Sequence, residues 1–250
     1  MLLTKQGEAT VKIARYMLGI RPGDRLPTVS EFCELAEAGV GTVQAALRTL
    51  EEEGAVSLES HGHQGTFAVK VNRAKLWEFS LYEVMFASMP LPYTTRLQGL
   101  ATALYEQFER ANIPFSLAYV RGGRWRVRRL LDGRADFIVC SRLTARLAQA
   151  EHRELVVVAD MGEESYTGKC VLVFRDSAGK GIVDGMRVGV DRASYDQMAL
   201  TEMSCRNKQV EFVPLTYTEY LSKLREGAVD VIAWSLDEVR EKNLHFPVVE

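Results

Sequence analysis

The segment LLDGRADFIVCS (Leu130–Ser141) is written again, without a gap, as LREGAVDVIAWS (Leu224–Ser235). In each copy a leucine-bearing run stops at a glycine (Gly133, Gly227). An aspartate (Asp136, Asp230) then opens a short apolar run that closes on serine. Glycine just past a helix takes the left-handed conformation that other residues avoid. A short apolar run bounded by turn signals reads as a buried strand. Each copy is therefore the helix–turn–strand piece of a βαβ unit, and the chain is expected to build a mostly parallel sheet.

What precedes each copy also matches. LYEVMFASMPLPYTTRLQGLATALYEQFERA reads strand, loop, helix, with Leu97, Leu100, Ala101, Leu104 and Phe108 as a buried stripe; IPFSLAYV is then a strand and GRWRVRRLLDG a helix. In the second half, MRVGVDRASYDQMALTEM reads strand, loop, helix, QVEFVPLT strand, and YTEYLSKLREG helix. Two α/β lobes built alike predict a ligand cleft between them. Ligands of open α/β sheets sit at the carboxyl ends of strands, near helix N-termini. Four loops fit. Tyr93, Thr94 and Thr95 precede a helix whose N-terminus suits a carboxylate or phosphate. Ser141 and Arg142 follow the first echo, and Arg142 can fork onto an anion. Asp191 and Ser194 lead into a helix, and Trp234 beside Ser235 can stack on a ligand. Each also has a plain reading: the threonines and serines as helix caps, Trp234 as core. The spacing in Arg124–Arg129 sets Trp125, Val127 and Leu130 among solvated cations, a charged helix face or an inter-subunit patch.

The first 75 residues follow another pattern. Val11, Ile13, Ala14, Met17 and Leu18 mark a helix ending near Gly19, and Pro22-Gly23 a turn. Thr28 with Glu31 forms a capping-box pair for a second helix. Gly39 and Gly41 make a turn, and Thr42 opens a third helix with Val43, Ala46, Leu47 and Leu50 on one face, stopped by Gly54. Val56–Leu58 and Thr66–Val69 read as strands joined across Gly62 and Gly65. Three helices and a hairpin make a winged helix-turn-helix.

Here the motifs carry a resemblance. GDRLP, the TVxxALxxLxxEG helix and His63-Gln64-Gly65-Thr66-Phe67 at the wing tip resemble the DNA-binding domain of GntR-family regulators over about residues 5–70. It implies that Arg25, Thr28, Gly41, Thr42, Gln44, Arg48, His61, His63 and Gln64 approach double-stranded DNA. Three arginine positions of that family hold Ser30, Val40 and Gln44 here. Residues 1–75 carry nine Lys/Arg and nine Asp/Glu, so the domain is formally neutral. Phosphate contacts supply most non-specific affinity, so binding by one copy should be weak and a homodimer is expected. Glu51–Glu53 read as a solvated helix end facing away from DNA.

The C-terminal part resembles the two-lobed α/β fold of type 2 periplasmic-binding proteins, shared with LysR-type effector domains. MPLPYTTRLQGLATAL, IPFSLAYVRG and FIVCSRLTA are similar to the YhfZ-like regulators, which pair it with a winged helix. The implied division is 1–72 for DNA binding and 73–250 for an effector domain, with lobes at about 76–180 and 181–250. The resemblance implies a C-terminal return segment, and none is read in this sequence, which ends at FPVVE.

Composition narrows the alternatives. A net charge of -2 over 250 residues excludes a generally basic nucleic-acid coater. Cys33, Cys140, Cys170 and Cys205 are scattered, without metal-ligand spacing, and read as buried free thiols. No signal-peptide pattern and no membrane span is read, so a cytoplasmic protein is expected. No nucleophile–base order or phosphate loop points to an enzyme, and no cofactor or metal is expected. The implied function is a ligand-responsive transcription regulator whose partners are operator DNA and a small polar or anionic metabolite. The alternatives are an enzyme on the same fold, or a solute-binding module with a vestigial winged helix.

Overall fold

The structure is a computed structural model that describes residues 3–176 and 181–249. They group into two compact units. The first runs through Met85 and also takes Glu106–Phe115; the second holds Phe86–Tyr105 and the chain from Ser116 onward.

In the first unit, α1 (Lys5–Met17) is capped by the Thr4 hydroxyl, which accepts from the Gly7 N–H. Helix α2 (Val29–Ala36) begins with the full capping box: Thr28 accepts from the Glu31 N–H, and Glu31 accepts from the Thr28 N–H. Helix α3 (Val40–Glu52) starts two residues before the expected Thr42, with Gly39 as an N-cap that makes no side-chain bond. Strands β1 (Val56–Ser60) and β2 (Thr66–Val71) form the antiparallel wing, and Gly62–Gln64 makes a single 3-10 turn at its tip. The loop before α2 lies along β2, because Gly23 donates to Ala68 and Leu26 to Thr66. Helix α4 (Arg73–Ser80) lies beyond the division expected at 72, yet its Leu76 is fully buried in the same core as Ile13, Phe32, Val43, Leu50 and Val56. Its apolar face needed a partner, and α1 supplies it.

The chain continues with β3 (Met85–Met89), α5 (Thr95–Arg110) and β4 (Phe115–Tyr119), which the second unit holds apart from Met85 and Glu106–Phe115, and then with α6 (Gly123–Leu131), the two-residue β5 (Phe137–Ile138) and α7 (Arg142–Glu151). Its first sheet has the order β4-β3-β5, with β3 parallel to β5. The second lobe holds β6 (Cys170–Phe174), β7 (Arg187–Val190), α8 (Tyr195–Ser204), β8 (Glu211–Pro214), α9 (Tyr220–Arg225), β9 (Val231–Ser235), α10 (Leu236–Glu241) and β10 (Val248–Val249). Its five-stranded order is β10-β6-β9-β7-β8.

Strand β6 corrects the expected lobe limits of 76–180 and 181–250, whose junction adjoins residues 177–180, outside the described residues. It is paired antiparallel with β9 over its whole length, so it belongs to the second sheet, which is mixed rather than mostly parallel. Val171 and Val173 can be buried only between β9 and β10, and no local pattern records that partner. The two echoes are structurally equivalent at their aspartates. Asp136 accepts the Phe86 N–H and donates its own N–H to the Phe86 carbonyl; Asp230 does the same with Arg187. Gly133 and Gly227 have φ of +67° and +72°. All four cysteines are free, but only Cys205 is buried, and Cys170 is exposed. Among the described residues no helix is long and apolar enough to cross a membrane, and no His/Cys/Asp/Glu cluster is placed to hold a metal.

Candidate nucleic-acid interface and ligand cavity

Helix α3 buries Val43, Ala46 and Leu50. The opposite row, Val40, Gln44 and Arg48, is exposed at a spacing of four, with Gly41 beside it and Thr42 half-buried. Neither Gln44 nor Arg48 has a side-chain partner among the described residues. Arg25 does not stand free. Its Nε lies 2.7 Å from where a Cβ on Gly65 would be, so the guanidinium rests on the wing tip. His63 and Gln64 are exposed there, while His61 sets its ring edge on Phe67 and its Nε2 3.4 Å from Glu59. Thr28 spends its hydroxyl on the capping box. Glu51 is more than a solvated charge: it accepts the Leu58 N–H at 3.1 Å and ties the first wing strand to the end of α3.

The second unit contains a cavity of about 280 Å³ at the carboxyl ends of strands from both lobes. The first lobe contributes Tyr93, Thr94, Arg121, Gly122, Gly123, Arg126 and Ser141. The crossing segment adds Tyr166, and the second lobe supplies Asp191, Ser194, Asp196, Gln197, Tyr217, Ser235 and Glu238. Of the eight residues expected from sequence, Tyr93, Thr94, Ser141, Asp191 and Ser194 line it; Thr95, Arg142 and Trp234 do not.

The reasons are physical. The Thr95 N–H, at the α5 N-terminus expected to take a ligand anion, donates to both oxygens of Glu241, at 3.2 and 2.9 Å. Arg142 is half-exposed and forks onto Asp160, with Nε 2.9 Å and Nη2 3.0 Å from its carboxylate. Trp234 is only 2% exposed and is covered by Tyr217, stacked at 4.6 Å. The ring facing the cavity is thus Tyr217, whose hydroxyl donates to the buried Glu238, which Lys242 also meets. Burial first, and the Glu238 charge second, push the Tyr217 phenol far above its ordinary range, so it stays a neutral donor.

Sequence reasoning missed Arg126. In a run read as a solvated face, Arg126 is 4% exposed, whereas Trp125 is 62% exposed. Its Nη1 donates to the Val120 carbonyl at 2.9 Å and its Nη2 to the Tyr166 hydroxyl at 3.4 Å. The available signal was position: the third residue after Gly123 at the start of α6, whose side chain leans back toward the helix N-terminus. Asp196 was missed too. It accepts from Ser141 at 2.6 Å and Thr144 at 3.0 Å, joining α8 to the start of α7.

A helical winged unit and a two-lobed α/β unit with a cavity at its strand ends define a helix-turn-helix protein with a binding-protein-like domain. The comparisons say the same. Residues 72–248 match the C-terminal domain of YhfZ and residues 21–68 a helix-turn-helix domain. The chain belongs to the YhfZ family. It is 37% identical to YhfZ of Escherichia coli K12 over 235 residues, 94% of this chain and 76% of that protein. The crystal structure of YhfZ from Shigella flexneri superposes with a TM-score of 0.56 at 32% identity, over 70% of this chain and 74% of that one. An ancestral arginine-binding protein bound to arginine shares the fold, with a TM-score of 0.50 at 12% identity over 68% of this chain and 79% of that chain.

Proposed function

We propose that this chain is a ligand-responsive transcription regulator of the GntR kind, working in the cytoplasm. It binds an operator in double-stranded DNA as a homodimer and takes a small polar or anionic metabolite between its lobes. One observation carries the reading. The exposed Gln44 and Arg48 of α3, with the exposed His63 and Gln64 of the wing tip, stand in the same chain as a cavity lined by hydroxyl and charged side chains at the strand ends. A surface able to enter a groove and a site able to take a small molecule need each other only in a switch. Gln44 suits an adenine edge, and Arg48, with the wing-tip histidines, suits phosphate. Sparse charge makes each half-site weak, and two half-sites bound together restore affinity without new contacts. The ligand acts by binding unequally to two arrangements of the lobes.

The test is fluorescence anisotropy of the full-length protein on its own upstream DNA across a salt series. Saturable binding that weakens with salt and is lost in Gln44→Ala and Arg48→Ala is expected. Absence of binding even at low salt sinks the DNA half of the proposal.

A further inference from the structure

The cavity is lined by two buried charges of opposite sign, Arg126 and Asp191, that have no ion-pair partner among the described residues. Arg126 is 4% exposed and bonds only a carbonyl and a phenol; its Nε, also buried, has no partner. Asp191 is likewise 4% exposed and accepts only N–H groups, from Ala193 at 2.9 Å and Tyr217 at 3.3 Å. Among the described residues, neither has an oppositely charged group within ion-pair distance. A buried charge is tolerated when it is paired and hydrogen-bonded, and breaking such a pair is strongly unfavourable. Both side chains line the same cavity.

The helix N-termini around it point the same way. Glu241 occupies the start of α5 and Asp196 the start of α7, each a carboxylate from the second lobe. The start of α6 has no side-chain cap, and Gly122 and Gly123 line the cavity; of its first N–H groups, that of Arg124 donates to the Ala193 carbonyl at 3.0 Å, and among the described residues no carboxylate accepts from the others. That is where Arg126 lies. A ligand anion placed there gains the guanidinium edge and the positive end of the helix together.

We propose that the effector is a small zwitterion. Its acidic group is held by Arg126 and the α6 N-terminus of the first lobe, and its ammonium by Asp191 of the second. The inference rests on the effector reading above and gives it a chemical class. It also supplies the differential affinity a switch requires: a molecule charged at both ends joins the lobes, and one charged at a single end cannot.

The experiment is thermal shift followed by calorimetry on the full-length protein. The probes are the common L-amino acids, taurine and 2-aminoethylphosphonate. Each is run beside the matching acid without its amine and the matching amine without its acid, with glucose and glycerol as neutral controls. At least one zwitterion should raise Tm, with both single-ended analogues at least ten-fold weaker (on the order of one lost charged contact). Arg126→Met and Asp191→Asn should each weaken it by roughly thirty-fold or more. Arg142→Met should leave it unchanged. Arg126→Met should change the unliganded Tm little, since loss of its donors to Val120 and Tyr166 is offset by removal of a buried charge without an ion-pair partner; a large loss there would make Arg126 structural and overturn the assignment. A single-ended acid or a sugar that binds as well as any zwitterion overturns the inference yet keeps the cavity as an effector site. No shift with any probe removes the inference and the ligand half of the effector reading together, and the DNA-binding assay stands apart from both.

Discussion

The two echo aspartates occupy the same place in the repeated pattern and make the same backbone bond, yet truncating them should cost different amounts. Asp136 is exposed and accepts one N–H, from Phe86 at 2.7 Å. Asp230, with its side chain 21% exposed, accepts the Arg187 N–H at 2.8 Å, and Arg187 Nε and Nη2 at 3.1 and 2.7 Å. Arg175 lies 3.4 Å away. A hydrogen bond to a charged acceptor contributes about 1.5 kcal/mol, and less where water competes. A partly exposed ion pair adds about 0.5–1 kcal/mol. Asp136→Ala should therefore cost about 1 kcal/mol and Asp230→Ala about 2–3 kcal/mol. Urea unfolding followed by tryptophan emission reads the difference, because the buried Trp234 reports the second lobe. The Arg187 hydrogen bond, the largest cause, holds the Asp230 carboxyl below the usual range. A depressed folded pKa gives stability that is present above the unfolded value, near 3.9, and lost as pH falls through the folded one. The gap between the two variants should thus narrow toward pH 3. Equal costs at pH 7, or a gap that widens in acid, would refute the assignment of the extra stability to Arg187.

Thr28→Ala should destabilise the winged unit by about 1 kcal/mol through loss of the N-cap. The Thr28 backbone N–H, the largest cause of the lowered Glu31 pKa, survives that change and the hydroxyl bond does not, so an NMR titration should find Glu31 raised only part of the way toward the ordinary carboxylate range. Gly122→Ala should cost about 1–3 kcal/mol, since φ is +79° and the new methyl would lie 2.9 Å from Ala193 Cβ; a smaller change in calorimetry would show that the lobes separate freely there. Gln44→Arg adds one cation to the exposed row of α3 and should steepen the log–log salt dependence of DNA binding by about 0.9. An unchanged slope would place that row away from phosphate.

Local signals carried the elements. The Thr28–Glu31 pair, the apolar stripe of α3 and the glycines that end α6 and α9 act within a turn or two of chain, so periodicity and capping chemistry recorded them. The gap-free echo recorded even the matching aspartate bonds. What failed was whatever depended on a distant partner. CVLVF joined the second sheet because β9 and β10 offered the edges that buried it. Helix α4 went to the N-terminal core because α1 had a face to cover. The site followed the same rule. The hydroxyls at strand ends were legible because loop position follows from strand order. The sequence cast Arg142 as an anion ligand and Arg126 as part of a solvated face, and only the fold reversed them, setting Arg142 against Asp160 on the surface and burying Arg126 in the cavity wall. The sequence by itself marked a helical part with a wing, an α/β part written from a repeated pattern, and the loops at its strand ends. The tertiary structure decided which charges are paired and which are left for a ligand, because burial and pairing belong to the assembled fold and to no single segment.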